Sequence, residues 1–121
     1  MKRLTNKEEE VMRILWQLEK AFVKEIIPLI QDKKYHYNTV STIVRHLEDK
    51  GFVGHTAYGN THQYYPVISK EDYRKHIMSL TSKRFFDNSY KSMVSFFAKE
   101  EKISARELRE ILEIIEKENK E

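Results

Sequence analysis

The side chains best placed to do chemistry in this 121-residue chain cluster between positions 38 and 49. With successive residues turned by about 100°, Asn38, Thr42, Arg45 and Asp49 share one helix face, with Ser41 and His46 at its edges and Thr39 beside them. These are hydrogen-bonding groups of the kind that read base edges. Asn pairs bidentately with adenine, Arg with guanine, and Ser or Thr hydroxyls meet several edges or a phosphate. Asp49 either orients Arg45 or faces solvent. A second group, Tyr58, Asn60 and His62, lies around a predicted hairpin tip. It would supply contacts beside a duplex.

Catalysis finds no such grouping. Five histidines are present, His36, His46, His55, His62 and His76, but they form neither an HExxH pair nor a regular series with carboxylates. His55 and His62 approach each other across the predicted hairpin, yet two ligands without a third make a poor metal site. No glycine-rich phosphate loop or nucleophile elbow occurs. The absence of cysteine excludes disulfides, thiolate metal sites and cysteine nucleophiles. The sequence therefore predicts a protein that is not an enzyme, with no metal and no cofactor.

The elements that must position the polar face are legible from periodicity. Thr5-Asn6-Lys7-Glu8 reads as a capping box opening a helix over about 6–18, with Val11, Ile14, Leu15 and Leu18 on its apolar side. Ala21-Phe22-Val23 reads as a short extended connection. A second helix is predicted from Lys24 to Gln31, beginning late or bending at Pro28. Asp32-Lys33-Lys34 forms a turn, where the two lysines either meet phosphate or face solvent; Tyr35 and Tyr37 serve packing or phosphate contact. A third helix is predicted from Tyr37 to Lys50. Val40, Ile43, Val44 and Leu47 form its apolar stripe, and Gly51 suits a left-handed helix end. Phe52–Thr56 and Thr61–Tyr65 then read as a two-stranded hairpin turning at Tyr58-Gly59-Asn60.

Three more helices follow, at about 70–86, 88–97 and 105–118, the last opened by the capping box Ser104-Ala105-Arg106-Glu107. The predicted fold is mainly α. A winged helix-turn-helix over residues 1–67 precedes a helical region over 68–121.

Composition agrees with a globular protein, at 40% hydrophobic and 34% charged residues. No apolar run reaches the length of a membrane span, and the basic start runs directly into Glu8-Glu9-Glu10 rather than an apolar signal region. A cytoplasmic protein with no direct membrane insertion is expected. The formal net charge is only +3, but it is unevenly spread. Residues 1–66 carry ten basic and eight acidic side chains, residues 67–98 six and three, and residues 99–121 six and eight. The acidic end is unsuited to phosphate. Double-stranded DNA is thus the expected partner. The alternative from another class is a non-catalytic protein-interaction scaffold using the winged helix and the C-terminal helices. Exposure of the Asn38/Thr42/Arg45 face separates the two readings.

With this order of elements, the chain resembles the penicillinase and methicillin-resistance repressors and their copper-responsive relatives, an antibiotic-resistance family. The resemblance is carried by Leu4-Thr5-x-x-Glu8-x-x-Val11-Met12-x-x-Leu15-Trp16 and Glu25-Ile26-x-x-x-Ile30. Its most specific piece is Tyr35-x-x-Asn38-Thr39-Val40-x-Thr42-x-Val44-x-x-Leu47-x-x-Lys50-Gly51-Phe52-Val53; Gly59 and Tyr65-Pro66-Val67 extend it. The resemblance implies a homodimeric repressor of a dyad-symmetric operator. It assigns dimerisation to Phe85, Phe86, Tyr90, Met93, Val94, Leu108, Ile111, Leu112 and Ile115, whose spacing alone would equally describe an intramolecular core. It also implies a membrane sensor-protease pathway that cuts an Asn-Phe bond. The candidate processing site here is Phe96-Phe97, which lacks the Asn. Two further departures are Tyr35, where the family usually has Trp, and Gly59-Asn60, where its wing commonly has Gly-Arg. Copper-thiolate sensing has no cysteine ligands here. The inducing signal, operator and regulated genes stay open.

Overall fold

A computed structural model describes residues 1–32 and 34–119. Lys33, a candidate backbone contact, and the last two residues lie outside the described residues. Helix α1 (Asn6–Leu18) opens as its sequence dictates. Thr5 Oγ1 accepts from the Glu8 N–H at 3.2 Å and Glu8 Oε1 accepts from the Thr5 N–H at 2.8 Å. Glu8 is itself buried, and its carboxylate is met by Lys50 Nζ at 2.6 Å. Burial pushes the Glu8 pKa up, but Lys50 and the Thr5 bonds outweigh it and leave the carboxyl below its usual value.

The short connection predicted at 21–23 is a strand, β1 (Ala21–Phe22). Its two residues give no alternation to read, and the strand exists only because it pairs with a segment some forty positions later. Helix α2 (Val23–Ile26) follows at once, one residue earlier and much shorter than the predicted 24–31. Pro28 lies in a 3₁₀ turn (Ile27–Leu29) that continues it, since proline cannot donate within an α-helix.

Helix α3 (Tyr37–Asp49) buries Val40, Ile43, Val44 and Leu47. It ends on Gly51 at φ +81°, with the Gly51 N–H donating to the Glu48 carbonyl and the Phe52 N–H to the Leu47 carbonyl, both at 2.9 Å. This is the Schellman arrangement, which only a residue tolerant of positive φ closes cheaply. Strands β2 (Val53–Tyr58) and β3 (Thr61–Pro66) form the hairpin. Gly59, at φ +60°, takes the first turn position, as a type II′ turn requires. The predicted two-stranded hairpin is in fact a three-stranded antiparallel sheet in the order β1-β3-β2, with Ala21 opposite Tyr64 and His55 opposite Tyr64 on the other side.

Helix α4 (Lys70–Phe85) starts with the Asp72 N–H donating to Ser69 Oγ at 3.0 Å. The chain forms two compact units, Met1–Ile77 and Met78–Glu121. The first extends past the expected division at 67/68 because Ile68, Tyr73 and Ile77 pack on its core. Tyr73 lies edge-on to Phe52 at 5.6 Å and beside Trp16 at 5.9 Å, and its hydroxyl donates to Glu9 Oε2 at 2.6 Å. The Trp16 Nε1–H donates to the Ile68 carbonyl at 2.9 Å.

The second unit holds the end of α4, helix α5 (Tyr90–Lys99) and helix α6 (Ala105–Glu118). Helix α5 starts two residues later than predicted because Asp87 and Asn88 take positive φ, leaving Ser89 to cap it. Helix α6 has the reciprocal Ser104–Glu107 bonds its sequence predicts, at 3.0 Å each.

Candidate nucleic-acid interface

Four residues of α3 seat its apolar stripe in the core of the first unit, against α1 and α2. The geometry of the stripe then dictates what faces outward. Asn38, Thr39, Thr42, Arg45 and His46 are exposed and Ser41 is half-exposed. Among the described residues, nothing in the first unit covers this face. Its groups are bonded to one another: Thr42 Oγ1 donates to the Asn38 carbonyl at 2.9 Å, and Arg45 donates to the Ser41 carbonyl and to Thr42 Oγ1, both at 3.3 Å. All three are solvent-exposed, and the two Arg45 bonds are long, so a better acceptor displaces Arg45 at little cost. Asp49 is exposed, while Arg45 turns back toward the start of its helix.

The wing residues Tyr58, Asn60 and His62 are also exposed. Tyr58 packs edge-on against Phe22 at 5.8 Å, so β1 supports the hairpin tip. A cleft lined by Phe22, Val23, Lys24, Tyr37, Thr61 and His62 brings together the starts of α2 and α3 and the wing. Tyr35 does not line it. It is half-buried against the core, with Lys7 Nζ 5.6 Å from its ring centre, which makes it a packing residue.

Two residues of this surface escape sequence reading. Lys24 is exposed at the opening turn of α2, where it adds a cation to the cleft; only the pairing of β1 with β3 brings that turn beside the wing. Glu48, in the last turn of α3, reaches His55 Nδ1 at 2.6 Å. The expected approach of His55 and His62 takes the form of parallel rings, 4.1 Å apart and inclined by 7°. Among the described residues no group of three or more acidic, histidine or cysteine side chains is placed to hold a metal ion. Tyr64 lies buried below the ring pair. Burial raises its phenol pKa, Glu48 adds to the effect and Arg45 opposes it.

The residues assigned to dimerisation lie in the second unit. Phe85, Tyr90, Val94, Ile111, Leu112 and Ile115 are exposed, and Phe86, Met93 and Leu108 half-buried. Phe96 and Phe97 are both exposed within α5, their rings 5.6 Å apart, and Phe96 lies edge-on to Phe86 at 5.7 Å. Among the described residues no helix is long and apolar enough to cross a membrane.

The penicillinase repressor family matches residues 4–117. The methicillin resistance regulatory protein MecI of Staphylococcus aureus strain N315 is 32% identical over 119 residues, covering 94% of each chain. The penicillinase repressor of Bacillus licheniformis is 27% identical over 115 residues, covering 94% of this chain and 90% of its own length. The solution structure of the DNA-binding domain of the repressor BlaI superposes with a TM-score of 0.51 at 27% identity, covering 60% of this chain and 94% of that domain.

Proposed function

The chain belongs to the penicillinase repressor family, and from that premise we propose that it is a homodimeric transcriptional repressor of a dyad-symmetric DNA operator. The observation that carries this reading is the open polar face of α3 opposite its buried stripe. A helix held that way enters a major groove without rearrangement of its body. Asn38, Thr39, Ser41, Thr42, Arg45 and His46 are assigned to the groove, Arg45 as the guanine reader. Tyr58, Asn60 and His62 contact the duplex from the wing, and Lys24 meets phosphate. Phosphate contacts supply most of the affinity and its salt dependence, and base contacts the choice of sequence.

Dimerisation rests on the apolar residues of α5 and α6. Ile111, Leu112 and Ile115 would be costly to leave in water on a free monomer. A two-fold pair of recognition helices reads two half-sites, so operator symmetry mirrors that of the protein. Release from DNA in the cytoplasm is assigned to a membrane sensor-protease pathway acting at Phe96-Phe97. Both residues sit inside α5, so cleavage there needs local unwinding of that helix.

The test is to select genomic fragments with the purified full-length protein and sequence them. A dyad-symmetric motif is the expected result; enrichment of no sequence over input removes the operator reading. On the recovered site, Arg45→Ala is expected to cost about 1–3 kcal/mol and to relax the choice of base at one position per half-site. Equal losses on operator and random duplex would instead make Arg45 a phosphate contact.

A further inference from the structure

The wing is unusual in its charge. From Gly51 to Pro66 the sequence has no Lys, Arg, Asp or Glu, so His55 and His62 are the only side chains there able to become cations. His62 is exposed in the cleft with Lys24 and Tyr37. Its ring lies flat on that of His55, and His55 is tied by its Nδ1 to Glu48 on α3. A continuous chain of contacts thus runs from the last turn of the recognition helix to the outer surface of the wing.

We propose that Glu48 and His55 are positioning residues that hold His62 as the phosphate-binding group of the wing, and that the grip of the wing on duplex DNA is therefore proton-linked. This rests on the DNA-binding reading above. The rings fix where His62 points, since a face-to-face stack removes most of its rotational freedom. Glu48 anchors the inner ring: its carboxylate meets His55 Nδ1 at 2.6 Å and so fixes the surface on which His62 stacks. The groups around the pair are Glu48 on His55, Tyr64 beside both rings, and Lys24 and Tyr37 in the cleft with His62; Arg45 acts on Tyr64 beneath. Of these only Glu48 is an anion at neutral pH. A phosphate entering the cleft beside Lys24 would favour a proton on His62. Proton uptake then accompanies binding, and affinity rises as pH falls through the range in which imidazoles change charge, about pH 5 to 8.

The experiment measures binding of the full-length protein to a labelled mixed-sequence DNA duplex at constant salt across that range. For the unmodified protein, affinity should rise with falling pH, by at most about tenfold per pH unit for each proton taken up. His62→Gln should lower the slope by about one proton. His62→Arg should restore tight binding at high pH without restoring that slope. In parallel, histidine ring NMR signals are followed through a pH titration of the free protein. Glu48→Gln should loosen the anchor of the ring pair and shift the ring signals of His62 as well as those of His55. Full retention of the pH slope in His62→Gln, or unchanged His62 ring signals in Glu48→Gln, overturns the proposal while leaving DNA binding intact. Failure of the unmodified protein to bind duplex at any pH removes both readings.

Discussion

Helices α3 and α6 carry nearly the same amphipathic signature and meet opposite fates. In α3, the residues Val40, Ile43, Val44 and Leu47 are all buried. In α6, at the same i, i+3, i+4, i+7 spacing, Leu108 is half-buried while Ile111, Leu112 and Ile115 are exposed. The contrast extends to the two units that hold them. The buried apolar core runs from Leu4 to Tyr73, whereas among described residues 78–119 the one buried side chain is that of Ser82. The first unit satisfies its hydrophobic surface within one chain. The second has an apolar surface of the kind that a partner must remove from water.

That difference is open to direct attack. The largest effect is expected from Leu112→Asp combined with Ile115→Asp, which places charges on the proposed contact surface of α6. Sedimentation should show a monomer, and operator affinity should fall by about 10²–10⁴-fold as two linked half-site contacts become independent. A double variant that stays dimeric would show that α6 is not the contact surface. Next comes Leu47→Ala in the sealed core of the first unit, expected to cost about 2–5 kcal/mol in chemical denaturation. The comparison sharpens in the thermal midpoint. Ile115→Ala should make the midpoint depend less steeply on protein concentration, because a weakened α6 contact contributes less stabilisation by association. Leu47→Ala should lower it without changing that dependence.

A smaller effect concerns the seam that brings the start of α4 into the first unit. Tyr73→Phe removes the hydroxyl that donates to Glu9 and accepts from the Leu4 N–H at 3.3 Å. Its expected cost is about 1–2 kcal/mol. Burial, reinforced by Glu9, pushes the phenol pKa up to about 12. A folded-state pKa raised above the ordinary 10.0 means that the folded protein favours the protonated phenol. The contribution is therefore complete below pH 10 and lost as pH rises toward 12. The unmodified protein should lose stability faster than Tyr73→Phe across that window; parallel alkaline curves would show that the bond contributes nothing.

Much of this architecture is legible from residue order. The capping boxes at Thr5 and Ser104, the stripe of α3 and the glycine after Lys50 each depend on side chains within a few positions of one another. They place α1, α3 and α6 to within a residue of where periodicity puts them. The polar face of α3 follows from its stripe by geometry alone. What escapes is what depends on distant partners. Two residues at 21–22 become a strand because Tyr64 and Gln63 lie alongside. Pro28 marks a break, but not that four residues of helix suffice before it. Lys24 joins the surface only once α2 is seen to start beside the wing. The Glu48–His55–His62 chain links α3, β2 and β3, and no spacing rule connects a helix end to a ring stack across a hairpin.

By itself, then, the sequence determined where α1, α3 and α6 begin and end and which side of each is apolar, because hydrogen bonds and caps act over three or four residues. Only the tertiary structure decided which apolar side is covered. Burial is a property of whatever comes to lie against a surface, and Leu47 and Leu112 announce themselves alike until the rest of the chain encloses one and leaves the other in water.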